Sequence, residues 1–322
     1  MSRTSVGVLR GGTSNEYNLS LKTGAAMLQA LPEERYETRD IFIDKSGMWH
    51  LRGMPVDSSR ALSQVDVVLN GLHGGVGEDG TVQRLLARSG VGFSGSRAQG
   101  SWLSLNKVRA RSVLERAGAR MPCGIAFNLE NRLNTAEMAQ AVFAQFGPPY
   151  VVKPVSEGAS YGILIAMTIV ELPDAIADVL DEFGDALIEE YIRGDEFSVG
   201  VIENFRGQEL YVLPPARVVL PKGAQFFHHD AHLEALAQYE VPSHFSQAEK
   251  QAIENLAKIA HRALGLSHFS RADIILTRRG PYLLEINALP GLYPGASLLP
   301  MLESIGSSPR EYLEHAIELA RT

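Results

Sequence analysis

Cysteine is almost missing from this sequence, which has one, Cys123, in 322 residues. A single cysteine excludes an intrachain disulfide and any zinc site built from several cysteines. Long hydrophobic runs are missing too, because the most apolar stretch, 162–167, is far too short to cross a bilayer. The formal net charge is −7, so the chain has no basic excess, and a nucleic acid or a membrane surface is excluded as its main partner.

The composition is that of an ordinary globular protein, with 45% hydrophobic and 21% charged residues. The length predicts two or three domains rather than one core. The first residues lack the apolar stretch of a signal peptide, and the single cysteine suits a reducing compartment. We therefore expect a cytoplasmic protein of several domains.

Strands and helices alternate along the first part of the chain. Strands are predicted at 5–9, 36–43 and 65–70, and a helix at 20–31. Glycine-rich segments at 11–12 and 71–80 follow two of these strands. This order predicts an α/β domain with a mostly parallel, doubly wound sheet, whose ligands bind at the carboxyl ends of the strands.

Further elements are predicted downstream. Helices are expected at 105–118, 135–146, 247–264 and 310–321, and an apolar strand at 163–170. The stretch 226–240 carries histidines without a clean period and is long enough for a lid or active-site loop.

Three oxygen-bearing side chains are predicted to meet on one hairpin, formed by strands at 269–276 and 282–286. If its turn centres on Arg279, Asp273 lies opposite Glu285, and Asn287 points to the same face. Two carboxylates at such a short distance repel each other unless a cation lies between them. Carboxylate and amide oxygens are suitable ligands for Mg²⁺. The alternative is a solvated strand end with Arg271 as the counter-charge, and spacing alone does not decide between the two.

Two lysines suggest a phosphate site. Lys153 sits in an apolar strand, where a buried ammonium needs an anion. The small-residue loop 157–162 follows it, and Lys107 opens a predicted helix. The loop alone is best explained as an ordinary turn, but together with the hairpin, phosphate plus metal becomes the better interpretation. Glu189 and Glu196 are candidate contacts for a nucleotide base or ribose, or alternatively exposed residues of an edge strand.

Taken together, these segments resemble the D-alanine–D-alanine ligases, bacterial members of the ATP-grasp superfamily. The likeness runs almost end to end, and its most specific string is LHGGVGEDGTVQ, residues 72–83. The other matching blocks, in order, are LRGGTSNEYNLSLKTG, LNKVRARSVLERAG, VVKPVSEGASYG, IEEYIRGDEF, and SRADIIL with YLLEINALPG.

The resemblance implies a three-domain ATP-grasp fold and a ligase that joins two D-alanines through an acyl-phosphate. The implied domains are an N-terminal substrate-binding α/β domain (1–96), a central ATP-grasp domain (97–187) and a C-terminal catalytic domain (188–322). ATP and two Mg²⁺ ions, with Mn²⁺ as an alternative metal, are the implied cofactors. D-alanine and ATP are the implied substrates, and a homodimer is the usual assembly.

The resemblance also implies roles for individual residues. Asp273, Glu285 and Asn287 correspond to the metal ligands. The ATP-binding positions are Lys107, Lys153, Glu189, Glu190, Ile192 and Glu196. The catalytic positions are Glu16, Ser160, Arg271 and Gly291. The substrate-binding positions are Glu16 and His73 for the first D-alanine, and Ser297 and His232 for the second.

The chain departs from the family at the second-substrate site. Ala159 stands where the glycine-rich loop of the family has its first serine. His232 and Leu233 stand where common members have a lysine–tyrosine pair, and one residue is added before Ser297. Three explanations stay open: the loop aligns in a different register, His232 replaces the lysine when protonated, or the second substrate is not D-alanine. A solvated loop is the alternative for the histidines.

Two classes of function therefore remain open at this stage. One is an ATP-dependent D-alanine–D-alanine ligase, with a D-alanine–D-lactate or mixed D-dipeptide ligase as its variant. The other is a catalytically impaired nucleotide-binding relative, which the retained Asp273, Glu285, Asn287, Arg271 and Lys153 disfavour.

Overall fold

The structure, a computed structural model, describes residues 3–131, 133–219, 238–241 and 245–322. His232 and Leu233, and with them most of the predicted active-site loop, lie outside these ranges. The described residues form three sheets in chain order, each with its own helices. No helix within the described ranges is long and apolar enough to cross a membrane.

The first sheet has the strand order β4-β3-β2-β1-β5-β6. Its strands are β1 (Thr4–Gly11), β2 (Tyr36–Ile43), β3 (Trp49–Leu51), β4 (Met54–Val56), β5 (Val67–Asn70) and β6 (Gly92–Phe93). Its helices are α1 (Tyr17–Ala30), α2 (Ser58–Leu62) and α3 (Thr81–Ser89). β2, β1, β5 and β6 run parallel, which confirms the predicted mostly parallel sheet, and the β3–β4 hairpin adds an antiparallel edge.

The second sheet is antiparallel, in the order β7-β10-β8-β9. It follows α4 (Ala98–Leu105) and α5 (Lys107–Arg116), and its strands are β7 (Gly124–Asn128), β8 (Tyr150–Lys153), β9 (Leu164–Ala166) and β10 (Asp185–Glu190). The helices α6 (Thr135–Phe143) and α7 (Leu172–Phe183) pack on it through a core of their own. Asn134 caps α6 in a capping box, as its sequence suggests.

The third sheet has the order β14-β13-β11-β15-β16, with β12 paired to β11. Its strands are β11 (Asp195–Glu203), β12 (Leu210–Val212), β13 (Ala216–Val219), β14 (Gln238–Glu240), β15 (Phe269–Thr277) and β16 (Gly280–Asn287). The helix α8 (Gln247–Ala263) covers one face with Ile253, Ala257 and Ala260. The last helices are α9 (Leu298–Ser304) and α10 (Pro309–Ala320).

Two helices pack on sheets other than those that they neighbour in sequence. Ala110 and Leu114 of α5 belong to the core beneath the third sheet. Leu313 and Ile317 of α10 share a core with Val6 and other residues of the first sheet. These helices hold the three units around one cleft.

Some expectations need correction. The apolar stretch 163–170 forms a strand only over Leu164–Ala166. The helix expected at 105–118 is present as α5, Lys107–Arg116, while Leu105 is the last residue of α4. Asn106 lies between the two helices with an extended backbone, and its side chain caps the start of α5. The predicted boundary after residue 187 falls within β10, so the domain limits stay predictions.

Candidate active site

A cleft of about 540 Å³ lies between the three sheets. Its wall contains Glu16, His73, Lys107, Lys153, Ser160, Glu189, Glu190, Ile192, Glu196, Arg271, Asp273, Glu285, Asn287 and Gly291. The structure therefore brings together, in one cleft, the candidate residues that the sequence spreads over 276 positions, from Glu16 to Gly291. Ser297 is not in this wall, and His232 lies outside the described residues.

The β15–β16 hairpin provides the carboxylates. Asp273 pairs with Glu285, and Arg271 pairs with Asn287. The tight turn would place Leu284 opposite Asp273, but a bulge after Asp273 shifts the register by one residue. As a result Leu284 and Glu285 both line the cleft, while Leu283 stays in the core.

Asp273 lies at the centre of a hydrogen-bond network. Its Oδ1 accepts from Ser198 Oγ at 2.8 Å and from Arg271 Nε at 3.1 Å. Its Oδ2 accepts from Arg271 Nη2 at 2.7 Å and from Asn287 Nδ2 at 3.2 Å. Burial nevertheless raises the pKa of Asp273, and the nearby charge of Glu285 acts in the same direction.

Glu285 is surrounded by cations. Burial alone would raise its pKa, but the charges of Lys107, Lys153 and Arg271 outweigh burial and lower it. The Nζ of Lys107 lies 3.7 Å from Glu285 Oε2 and also donates to the carbonyl of Glu157, which begins the small-residue loop. The hairpin and the loop therefore share one lysine.

The hairpin residues have the donor chemistry of a magnesium site. Two carboxylates and one amide oxygen, without sulfur or imidazole, suit a hard divalent cation. Among the described residues, no group of three or more His, Cys, Asp or Glu side chains is placed to hold a metal ion.

A second group of charges lies on the sheet that contains β8 and β10. The Lys153 side chain is only 6% exposed, and its Nζ lies 2.6 Å from Glu189 Oε2. The other oxygen of Glu189 accepts from Arg111 Nη2. Both oxygens of Glu189 thus already have an ion-pair partner.

The end of the cleft at the first sheet is acidic. Glu16 precedes α1, and burial together with the charges of Glu78 and Glu285 raises its pKa to about 8. Burial likewise raises the pKa of Glu78 to about 7, although its Oε1 accepts from the backbone N–H of Gly74 at 2.8 Å. A Cβ at Gly158 would lie 2.3 Å from Glu16 Oε1, so the loop needs glycine to close over Glu16.

His73 lies beside these carboxylates. Its Nε2 is 2.7 Å from Thr23 Oγ1, and its Nδ1 is 3.9 Å from Glu78 Oε1. Burial, aided by the charge of Arg271, lowers the pKa of His73 to about 4, so the imidazole is neutral at pH 7.

Comparison with known proteins decides the family. The model for the D-Ala–D-Ala ligase C-terminus matches residues 99–318. D-alanine–D-alanine ligases of Desulforudis audaxviator and Flavobacterium johnsoniae are 31% and 32% identical to the chain, with 98% of both chains covered in each case. This chain belongs to the D-alanine–D-alanine ligase family. It is accordingly an ATP-grasp ligase, and the predicted family and enzyme class are confirmed.

Solved structures of the family agree in fold. The D-alanine–D-alanine ligase of Bacillus anthracis, complexed with ATP, has a TM-score of 0.80 and 26% identity, with 98% of this chain and 97% of that one covered. The VanG D-Ala:D-Ser ligase of Enterococcus faecalis has a TM-score of 0.84 and 26% identity, with 99% and 100% covered. The three-domain ATP-grasp fold predicted from sequence is thus confirmed.

Several residues of the site were missed by sequence reasoning. Glu78 lies within residues 72–83, the segment that resembles the family most specifically, and this likeness could have marked it as a site residue. Arg111 occupies an amphipathic helix, where a charged residue is expected to face solvent. Tyr293, whose ring lies over Gly291, falls in the segment with the added residue, and no pattern in the sequence marks it.

Proposed function

We propose that this chain joins two D-alanine molecules at the expense of ATP, which forms D-alanyl-D-alanine for peptidoglycan synthesis. The observation that carries the proposal is the facing pair Asp273 and Glu285, with Asn287, Arg271 and Lys107 beside it in the cleft. Relatives that bear this name and match over nearly the whole chain support it.

Asp273, Glu285 and Asn287 would hold Mg²⁺. When bound, the metal would neutralise phosphate charge and polarise the phosphorus–oxygen bond. The oxygen donors and the raised pKa of Asp273 fit this role, because a cation offsets the repulsion between the two carboxylates.

The nucleotide would lie between the second and third sheets. Lys107 and Lys153 would contact its phosphates, and Glu196 its ribose. Glu190 and Ile192 line the same cleft and would contact the adenine. Glu189 contributes by holding Lys153, since both of its carboxylate oxygens are paired.

Glu16 would accept the ammonium group of the first D-alanine, with His73 near its carboxylate. A carboxylate oxygen of that D-alanine attacks the γ-phosphorus, and the bond from phosphorus to ADP breaks. The amine of the second D-alanine then attacks the acyl carbon, the carbon–oxygen bond to phosphate breaks, and the nitrogen loses a proton. Arg271 stabilises the charge that builds up on oxygen, with Ser160 and Gly291 close to the reacting atoms.

The second substrate is the part of the proposal with an alternative. Ser297, the proposed carboxylate-binding residue, is 1% exposed, and its Oγ has no hydrogen-bond partner within the described residues. Ala159 packs against an apolar cluster of Leu19, Tyr293 and Ala296 in place of a serine hydroxyl. A D-hydroxy acid or another D-amino acid as second substrate is therefore the alternative, and one similar structure is a D-Ala:D-Ser ligase.

We also propose that the protein forms a homodimer and is located in the cytoplasm. The predicted location rests on the single cysteine and the assembly on the family resemblance. Light scattering on the purified protein tests the assembly, and fractionation of cells that produce the chain tests the location.

The decisive experiment uses a mixed pool of D-amino acids and D-hydroxy acids with ATP and Mg²⁺. We expect release of ADP and phosphate, and a product with the mass of D-alanyl-D-alanine. A depsipeptide or mixed dipeptide mass selects the alternative substrate. ATP binding without any ligated product across the pool contradicts the proposal and leaves an impaired relative.

A further inference from the structure

Arg111 connects two lobes of the molecule at the nucleotide end of the cleft. It lies on α5, whose Ala110 and Leu114 are part of the core beneath the third sheet. Its guanidinium nevertheless reaches the second sheet region, where Nη1 donates to the carbonyl of Pro122 at 2.5 Å and Nη2 donates to Glu189. The residue is only 8% exposed, although its side chain is charged.

The guanidinium passes close to a glycine on the neighbouring strand on its way to Glu189. Gly124 of β7 pairs directly with Glu189 of β10. A Cβ at Gly124 would lie 3.1 Å from Arg111 Nη2 and 3.2 Å from Glu189 Cγ, which is tighter than ordinary contacts. A side chain at this position would therefore push the guanidinium or Glu189 aside by a few tenths of an ångström.

Glu189 links this arginine to Lys153. One carboxylate oxygen binds Arg111, and the other lies 2.6 Å from Lys153 Nζ. Two buried cations share one buried carboxylate, so the triad carries one net positive charge. Glu115 also lies 2.9 Å from Arg111 Nη1, but its side chain is 51% exposed, and water weakens its charge.

We infer that Arg111 is a positioning residue for nucleotide binding, which acts through Glu189 on Lys153. By sharing the charge of Glu189, Arg111 leaves Lys153 with positive charge to offer to a phosphate. Without Arg111, Lys153 and Glu189 would form a neutral closed pair. This inference rests on the proposed function only in giving Lys153 a nucleotide phosphate as its ligand.

The test compares Arg111→Met and Arg111→Lys with the wild-type protein. Arg109→Met is the matched control, because Arg109 lies on the same helix but stacks on Trp102 at the surface. We expect Arg111→Met to raise the KM for ATP about tenfold or more, since a charge-assisted contact is lost, and to leave the KM for D-alanine within about twofold. We expect Arg111→Lys to show a smaller rise in the KM for ATP than Arg111→Met, and Arg109→Met to match the wild type.

Calorimetry with ADP and Mg²⁺ separates this inference from the proposed function, because it needs no turnover. Weaker ADP binding in Arg111→Met supports the inference even if the wild-type protein ligates no D-alanine. Equal ADP affinity in wild type and Arg111→Met overturns it, whatever the activity.

Gly124→Ala provides an independent variant that keeps every charge. The added methyl would shift the guanidinium or Glu189 by a few tenths of an ångström, so we expect the same selective rise in the KM for ATP, at a smaller size. If Arg111→Met does not fold, as judged by thermal unfolding, Gly124→Ala decides: wild-type ADP affinity in this variant overturns the inference.

Discussion

The two ends of the cleft differ in the sign of the charges that line them. At the nucleotide end, Lys153, Arg111 and Lys107 are held beside Glu189 and Glu285, and cations outnumber carboxylates. At the end near the first sheet, Glu16 and Glu78 have no lysine or arginine within ion-pair distance among the residues that the structure describes, and their pKa values rise to about 8 and 7. One end is prepared for phosphate and the other for an ammonium group.

Removal of Lys153 is expected to have the largest effect on this contrast. Lys153→Met deletes the buried cation and leaves Glu189 with Arg111 alone, so we expect kcat/KM for ATP to fall about 10²–10³-fold. Steady-state kinetics measure it, with Lys250→Met on the surface of α8 as the control. Equal losses for ATP and D-alanine binding would remove the distinction between the two ends.

The converse change acts on the acidic end. Glu16→Gln keeps the shape but cannot ionise when an ammonium group binds beside it, so we expect the KM for the first D-alanine to rise about 10- to 150-fold. The KM for ATP should change by less than about twofold. Glu33→Gln, on the surface, serves as the control, and a selective effect of Glu16→Gln on ATP would contradict the assignment.

The hairpin between the two ends is expected to respond to metal concentration. Asp273→Asn removes one carboxylate charge, and we expect the Mg²⁺ concentration for half-maximal rate to rise about 10- to 100-fold. Asp174→Asn, at the exposed start of α7, is the control. An unchanged Mg²⁺ requirement would show that Asp273 is not a metal ligand.

The smallest expected effect is on stability without ligands. Because the pKa of Glu16 is above its unfolded value of 4.5, its contribution to stability is complete below about pH 4.5 and is lost as pH rises through about 8. The melting temperature should therefore fall between pH 6 and pH 9, and Glu16→Gln should reduce that fall by roughly 2–4 °C. Scanning calorimetry at the two pH values measures it; identical pH dependence in both proteins would contradict the raised pKa.

The sequence predicted local geometry well where a short-range rule was sufficient. The facing of Asp273 and Glu285 was obtained from the position of the turn, and the structure confirms it. The assumed turn was one residue too long, however, and the bulge after Asp273 compensates for that difference. A bulge depends on how both faces of the strand are packed, which spacing alone does not reveal.

Contacts between lobes were not predictable in the same way. Arg111 is buried on α5 because it reaches Glu189 of the second sheet, and helical periodicity describes one helix and not the neighbouring sheet that it contacts. The stretch 163–170 was predicted as a long strand from its apolar residues, but Met167 and Val170 are exposed and the strand ends at Ala166. The apolar residues of this segment therefore did not predict its conformation.

The packing of α10 on the first sheet affects the order in which the chain can fold during synthesis. Ile317 and Ala320 complete a core begun by Val6 and Val8, and the carbonyl of Ala320 lies only 2.0 Å from where a Cβ on Gly92 would be. The ribosome has made more than 300 residues before this helix emerges. Until then Met27 of α1 and the adjoining Leu31 cover part of the Val6 and Val8 face of the earliest strands, so the first core is completed last.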